Sequence, residues 1–323
     1  MDGPGSTAMT ENQRPRSLSV SLRPSQATKS VRFGVLGGGY VGQAAARALL
    51  SGFADTEVSS AGPLAVTMTY RSRAPTEGKD PRIEWHRLEL SHDVNPVRQS
   101  SQGFEDCVAL FQGCRTLLVT LPVAGGAQGT PRFFELLEHA LERIAQSGSA
   151  LCVLSSTSAY VQHSGVVTES SPWSADNPRF LAEERLRQRL GATILPLAGL
   201  FGDGRDPLRW IAEGRISDLR GAVNLIHHVD AGHCVAQVLM APRSGERINI
   251  SSGELHWWAR LALENNVLPP GVSRTEVAAL AASVGSSPGA PPPRLISNDK
   301  LLQTYESLRH HVFLRVGQDQ GTT

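Results

Sequence analysis

Apolar runs of strand length alternate with segments of helical periodicity along most of the 323-residue chain. Strands are predicted at 31–37, 64–71, 83–90, 115–123, 150–156 and 192–202. Between them, helical spacing of apolar residues predicts helices at 41–50, about 103–111, 131–148 and 180–190. Pro131 and Gly148 sit where a helix start and a helix stop are expected. This alternation gives an α/β fold, a doubly wound parallel sheet covered on both faces, and the 115–123 run is apolar enough to lie in its middle. After Gly202 the pattern loosens into shorter pieces, including 254–267 with Trp257 and Trp258, one of which is expected to pack while the other is partly exposed. The predicted organisation is a disordered tail over 1–30, a nucleotide-binding domain over 31–202, and a smaller, mainly substrate-binding lobe over 203–323. Low complexity is confined to the tail and the Pro- and Gly-rich stretch 285–294.

Composition narrows this without redirecting it. With 40% hydrophobic and 19% charged residues the chain can bury a sizeable core, and 31 basic against 30 acidic residues advertise neither a nucleic-acid nor a membrane-surface partner. No stretch is long and apolar enough for a membrane helix, so a soluble intracellular protein is expected. Cys107, Cys114, Cys152 and Cys234 lack CxxC spacing and read as reduced, mostly buried thiols; no metal site is expected. The tail carries Arg14, Arg16, Arg23 and Lys29 without an acidic residue between Asn12 and Ser30, a faint likeness to an organelle transit segment. Its prolines oppose an amphipathic helix, which leaves a cytoplasmic location as the default.

The first chemical signal is FGVLGGGYVGQAAARALL, residues 33–50. Gly37-x-Gly39-x-x-Gly42 follows a strand and opens a helix, the context in which this pattern marks a dinucleotide site. The glycines allow a tight turn, a close backbone approach to the pyrophosphate and close helix–strand packing, while the helix N-terminus offers free amides to phosphate. Arg71 and Arg73 follow the second strand, where an acidic residue would bond the ribose 2′-hydroxyl; a guanidinium there suits a 2′-phosphate. NADP is therefore the expected cofactor and NAD the alternative. The candidate binding set is Gly37, Gly39, Tyr40, Val41, Gly42, Arg71, Arg73, Leu121 and Pro122.

Six segments occurring in order, GVLGGGYVG, LSSTSAY, VTESSPW, ILPLAGLFGDGRDPL, VNLIHHVDA and INISSGE, resemble extended and atypical short-chain dehydrogenases/reductases of the NAD(P)-dependent epimerase/dehydratase-like group. The resemblance spans about 31–302. It implies a Rossmann domain with a C-terminal substrate lobe. It also implies a catalytic Ser or Thr at the end of the fifth strand and a Tyr-x-x-x-Lys pair on the next helix. Ser156 matches the serine, with Thr157 adjacent. The pair is absent: Arg179 stands at the tyrosine position and Glu183 at the lysine position. A guanidinium cannot shuttle a proton near neutrality, and a carboxylate raises the pKa of a neighbouring acid. At i, i+4 these two are expected to form a helix-surface ion pair. Leu225 replaces an arginine that many relatives use for an anionic substrate group, and Val229 replaces the first of two aspartates, whereas His227 and Asp230 match.

Tyr160 is the first candidate to supply the missing proton, with pocket shaping as its alternative role; His163 and His227 come next. His228, His233 and Cys234 show no metal-ligand spacing, and His310 and His311 read as surface. Two functions follow. One is an NADP-dependent oxidoreductase or epimerase acting on a small carbonyl or hydroxyl substrate through Ser156, Thr157 and Tyr160. The other is a catalytically inactive nucleotide-binding subunit of a larger assembly, in which the nucleotide is structural or redox-sensing and the tail orders against a protein partner.

Overall fold

The computed structural model describes residues 30–52, 63–72, 80–90, 102–123, 131–285 and 291–317. The expected tail up to residue 29, Arg73 and residues 286–290 of the 285–294 loop lie outside these residues. β1 (Val31–Leu36) runs through the glycine turn into α1 (Tyr40–Gly52), followed by β2 (Leu64–Tyr70) and β3 (Ile83–Arg87). Next come α2 (Gln102–Phe111), β4 (Thr116–Val119), α3 (Pro131–Gln146) and β5 (Ala150–Ser156). β6 (Val166–Val167), α4 (Pro178–Leu190) and β7 (Thr193–Leu197) complete this part. Six strands pair in parallel in the order β3-β2-β1-β4-β5-β7, the doubly wound Rossmann arrangement predicted by the alternating pattern.

The period of two along each strand divides the interior into two layers. Phe33, Val35, Leu118, Cys152 and Leu154 face α1, whereas Leu36, Leu117, Val119, Leu151 and Val153 face α2, α3 and α4. Every residue of β4 is buried, which is why that run carries no polar alternation. It is shorter than expected; just past its end the Thr120 amide donates to the Leu36 carbonyl and the Thr120 hydroxyl donates to the glycine turn. α4 is delimited by local chemistry: Asn177 caps its start by accepting the Arg179 amide, Pro178 occupies the first turn, and Gly191 closes it at φ +64°.

The 192–202 run, expected as one strand, divides. β7 stays in the large sheet, while β8 (Gly199–Phe201) turns into a second sheet. Two demands compete there: β7 pairs β5, and the Ala198 amide is drawn to the carbonyl of Ile250. After α5 (Pro207–Ala212), β9 (Ala222–His227) pairs β8 in parallel, and α6 (His228–Met240) follows at once. α6 returns to the nucleotide-binding layer and packs along α1; a Cβ on Gly232 would lie 2.6 Å from the Ala44 carbonyl carbon, so the helices meet through this glycine. Residues beyond 202 thus complete the first layer as well as building the smaller lobe.

That lobe comprises β10 (Leu255–Trp257), which pairs antiparallel with β9, then α7 (Trp258–Glu264) and α8 (Arg274–Ser283), around a core including Phe201, Ile211, Leu225, Ala259 and Val277. Trp257 and Trp258 are both half-buried rather than divided between core and solvent, because β10 gives way to α7 between them. β11 (Leu295–Ile296) pairs with β6, and α9 (Asp299–Thr304) brings the chain back against the first core through Leu301 and Tyr305. All four cysteines are buried and unpaired. Among the described residues no helix is long and apolar enough to cross a membrane.

Candidate functional site

The glycine turn lies where β1 ends, between β2 and β4. Gly37 adopts φ +105°, donates its amide to Thr69 Oγ1 at 3.0 Å and accepts from Thr120 Oγ1 at 2.6 Å, so both flanking strands fix the turn. A Cβ on Gly42 would come within 2.6 Å of the Gly37 carbonyl oxygen, which is the close packing its position requires. Gly39 differs: a Cβ there would meet nothing within 4 Å. The open space in front of Gly39 adjoins the first turn of α1, whose Tyr40, Val41 and Gly42 amides have no acceptor within their own helix. That is a fit for a phosphate-bearing ligand. The half-buried Leu121 and exposed Pro122 follow β4 beside the turn, and Arg71 is exposed just after β2.

The Tyr40 side chain leaves this cradle. Its hydroxyl donates to the backbone oxygen of Gly202, with the Phe201 oxygen at 3.2 Å. Its ring stacks on His228 at 4.8 Å and lies under the Arg205 guanidinium. Burial, reinforced by the Asp203 charge and partly offset by Arg205, pushes the phenol up to about 12, so it remains a hydrogen-bond donor at neutral pH.

At the mouth of β5, Ser156 is half-buried and caps a 3₁₀ turn, Thr157–Ala159. Its Oγ accepts from the Ser158 amide at 3.2 Å and the Ser158 hydroxyl at 2.9 Å, and keeps its own proton to donate. The Thr157 carbonyl accepts from Arg294, a partly buried guanidinium whose Nε has no partner and which pairs with no carboxylate among the described residues. Composition and spacing give no hint of Arg294, since it reaches this corner from the far side of the Pro-rich stretch.

Tyr160 lies elsewhere. It is 1% exposed, its hydroxyl donates to Asn249 Oδ1 at 2.7 Å, and its ring meets Trp173 edge-on. Burial above all, with the nearby Glu169 charge, raises its pKa. This geometry is that of a core residue and departs from the expected proton donor. The surface ion pair at the replaced Tyr/Lys positions is also corrected. Arg179 Nε donates to Glu183 at 2.8 Å as expected, but Glu183 is wholly buried and also accepts from the Ser155 hydroxyl. Burial raises its pKa against these hydrogen bonds.

His163 is exposed, while His227 is nearly buried and caps α6 by accepting the Val229 amide. Leu225 packs into the core of the smaller lobe, so its apolar character answers a packing demand. His227 also borders a cavity of about 350 Å³ lined by Phe201–Leu208, Asn265 and Arg315–Gly317. His310 is exposed as expected, but His311 is not a free surface residue: its Nε2 lies 2.8 Å from Asp230 Oδ1.

Compared as a whole, this chain superposes on yeast methylglyoxal/isovaleraldehyde reductase Gre2 complexed with NADPH with a TM-score of 0.58, at 16% identity over 88% of this chain and 94% of that one. The UDP-glucuronic acid 4-epimerase of Bacillus cereus in complex with NAD gives 0.56, at 15% identity over 85% and 90%. The dTDP-glucose 4,6-dehydratase DesIV of Streptomyces venezuelae, with NAD bound, gives 0.57, at 17% identity over 85% and 90%. The fold is that of the NAD(P)-dependent epimerases, dehydratases and reductases. Within this fold, the glycine turn and the mouth of β5 are the parts described above. No family profile matches the sequence. Protein YeeZ of Escherichia coli strain K12 is 32% identical over 141 residues, 42% of this chain and 52% of YeeZ, so the chain spans about half the length of the curated relative it matches.

Proposed function

We propose that the chain binds a nicotinamide dinucleotide across the Gly37–Gly42 turn, NADP(H) in preference to NAD(H), and acts on a small carbonyl or hydroxyl compound at the mouth of β5. The observation that carries this reading is the open space before Gly39 at the N-terminus of α1. Gly39, Tyr40, Val41 and Gly42 would hold the phosphates through backbone amides, Leu121 and Pro122 would border the ligand, and Arg71, with Arg73, would pair with a 2′-phosphate. When bound, the dinucleotide supplies or accepts hydride.

The chain's own contribution is orientation. Ser156 Oγ, fixed by Ser158, is free to donate its proton to a substrate oxygen, and Arg294 brings a positive charge to the same corner, suiting a substrate with an anionic group. The proton itself comes from water in this reading. Arg179 cannot release one, and the Tyr160 hydroxyl is committed to Asn249. Thr157 contributes its carbonyl, which holds Arg294.

One observation favours the second reading, a nucleotide-binding subunit without turnover: the buried Ser155–Glu183–Arg179 network fills the place where the resemblance puts the proton relay. Fluorescence titration with NADPH and NADH, followed by NADPH oxidation with a panel of small carbonyl compounds, separates the two. Tight NADPH binding with turnover abolished in Ser156→Ala supports the first reading, binding without turnover in the wild type supports the second, and absence of binding overturns both. Arg71→Ala is expected to weaken NADPH about tenfold, the effect of losing one exposed charge-assisted contact, and to leave NADH unchanged.

A further inference from the structure

Asp230 and His233 lie three residues apart on the first turns of α6 and therefore share a face. The C-terminal segment brings His311 onto that face, its ring edge-on to His233 at 5.7 Å between centroids. One donor atom from each of the three side chains lies within 4.8 Å of the other two. Asp230 is 2% exposed, His311 and His233 are half-buried, and the second carboxylate oxygen of Asp230 accepts the Leu314 amide at 2.7 Å. We propose that Asp230, His233 and His311 form a binding site for a divalent first-row metal ion of the zinc type, which fastens the C-terminal segment to α6.

The donor set determines the class of ion. Two imidazoles and one carboxylate suit zinc and its first-row neighbours, whereas magnesium and calcium take oxygen ligands. Bonds of about 2.0–2.1 Å to a tetrahedral ion hold donors about 3.3 Å apart, so the present separations, all within 4.8 Å, close by about 1.5 Å at most on binding. The His311–Asp230 contact is now bridged by a proton. On binding, His311 Nε2 gives up that proton, to its own Nδ1 if the ring is neutral or to solvent if it is an imidazolium, so that both imidazoles coordinate as neutral ligands and water completes the coordination. The Leu314 amide stays on the free carboxylate oxygen, the kind of outer hydrogen bond that orients a ligating carboxylate. Cys234, next on α6, is buried in the first core and takes no part. The adjoining residues Arg315, Val316 and Gly317 form one wall of the 350 Å³ cavity, so an ion at His311 fixes that wall as well.

The test uses the untagged full chain, stripped with chelator and dialysed. Calorimetric titration with Zn²⁺ is expected to give one ion per chain, and Co²⁺ to give the intense visible bands of a tetrahedral site. His233→Ala leaves the Asp230–His311 contact in place and is expected to lower the affinity for both ions at least tenfold; His233→Asn serves if the alanine variant does not fold. Absence of cobalt bands and of zinc binding overturns the proposal, as does undiminished affinity in the His233 variants, since the group is then an ion pair and nothing more.

Discussion

Glu183, at the position where the resemblance calls for a lysine, is wholly buried and receives Arg179 Nε at 2.8 Å, while Arg179 stands where the tyrosine is called for. Both replaced residues thus bind each other, and the Ser155 hydroxyl completes the network. Removing the carboxylate leaves a guanidinium and a buried hydroxyl without their acceptor. Glu183→Ala is expected to lower stability by about 3 kcal/mol, and Glu183→Gln, which keeps an acceptor for Ser155, by less. Urea unfolding of the three proteins at pH 7 measures this; equal stability of the alanine variant and the wild type would contradict the role assigned to the pair.

Gly39 and Gly42, three residues apart, are expected to respond in opposite ways. A Cβ on Gly39 meets nothing, so Gly39→Ala should retain wild-type stability yet weaken NADPH at least tenfold by occupying the space facing the α1 amides. A Cβ on Gly42 lies 2.6 Å from a backbone oxygen, so Gly42→Ala should destabilise the fold by about 1–3 kcal/mol. Thermal unfolding paired with a binding titration distinguishes these outcomes. Unchanged NADPH affinity in Gly39→Ala argues against the cradle.

Tyr160 tests whether the core role excludes a catalytic one. Its hydroxyl satisfies the Asn249 side chain inside the protein, and Asn249 in turn donates to the Ser297 carbonyl and, through its own amide, to Glu169. Tyr160→Phe leaves Asn249 Oδ1 buried without that donor, an expected loss of about 1–2 kcal/mol. Any measured turnover should survive in the variant at 20 °C, whereas loss of kcat with intact stability would restore Tyr160 as the proton donor.

Acid sensitivity is expected to arise at Glu184. Burial raises its pKa, but hydrogen bonds from Arg187 and the charge of Arg247 outweigh this and hold it at about 2 in the folded chain, below the usual value of 4.5. A depressed folded-state pKa means that the unfolded chain binds the proton more readily. The resulting stability is complete above about pH 4.5 and disappears as pH falls towards about 2. Glu184→Gln should therefore flatten the acid limb of a stability-versus-pH curve; a limb of unchanged steepness would show that another carboxylate controls it.

The sequence by itself determined the sheet, its order of elements, the glycine turn and the absence of the Tyr-x-x-x-Lys pair. These depend on short-range features: the period of side chains along a strand or helix, the backbone freedom of glycine, and residue identity at a fixed spacing. Tertiary structure alone decided that the 192–202 run divides between two sheets, that Tyr160 turns into the core, and that Glu183 is buried rather than at a helix surface. It also brought Arg294 to the Thr157 carbonyl and His311 to Asp230. The hydrogen bonds concerned join residues 89 apart for Tyr160 and Asn249, and 81 apart for Asp230 and His311. No periodicity encodes such pairings; they arise when whole elements pack and each buried polar atom takes the partner that the packing leaves within reach.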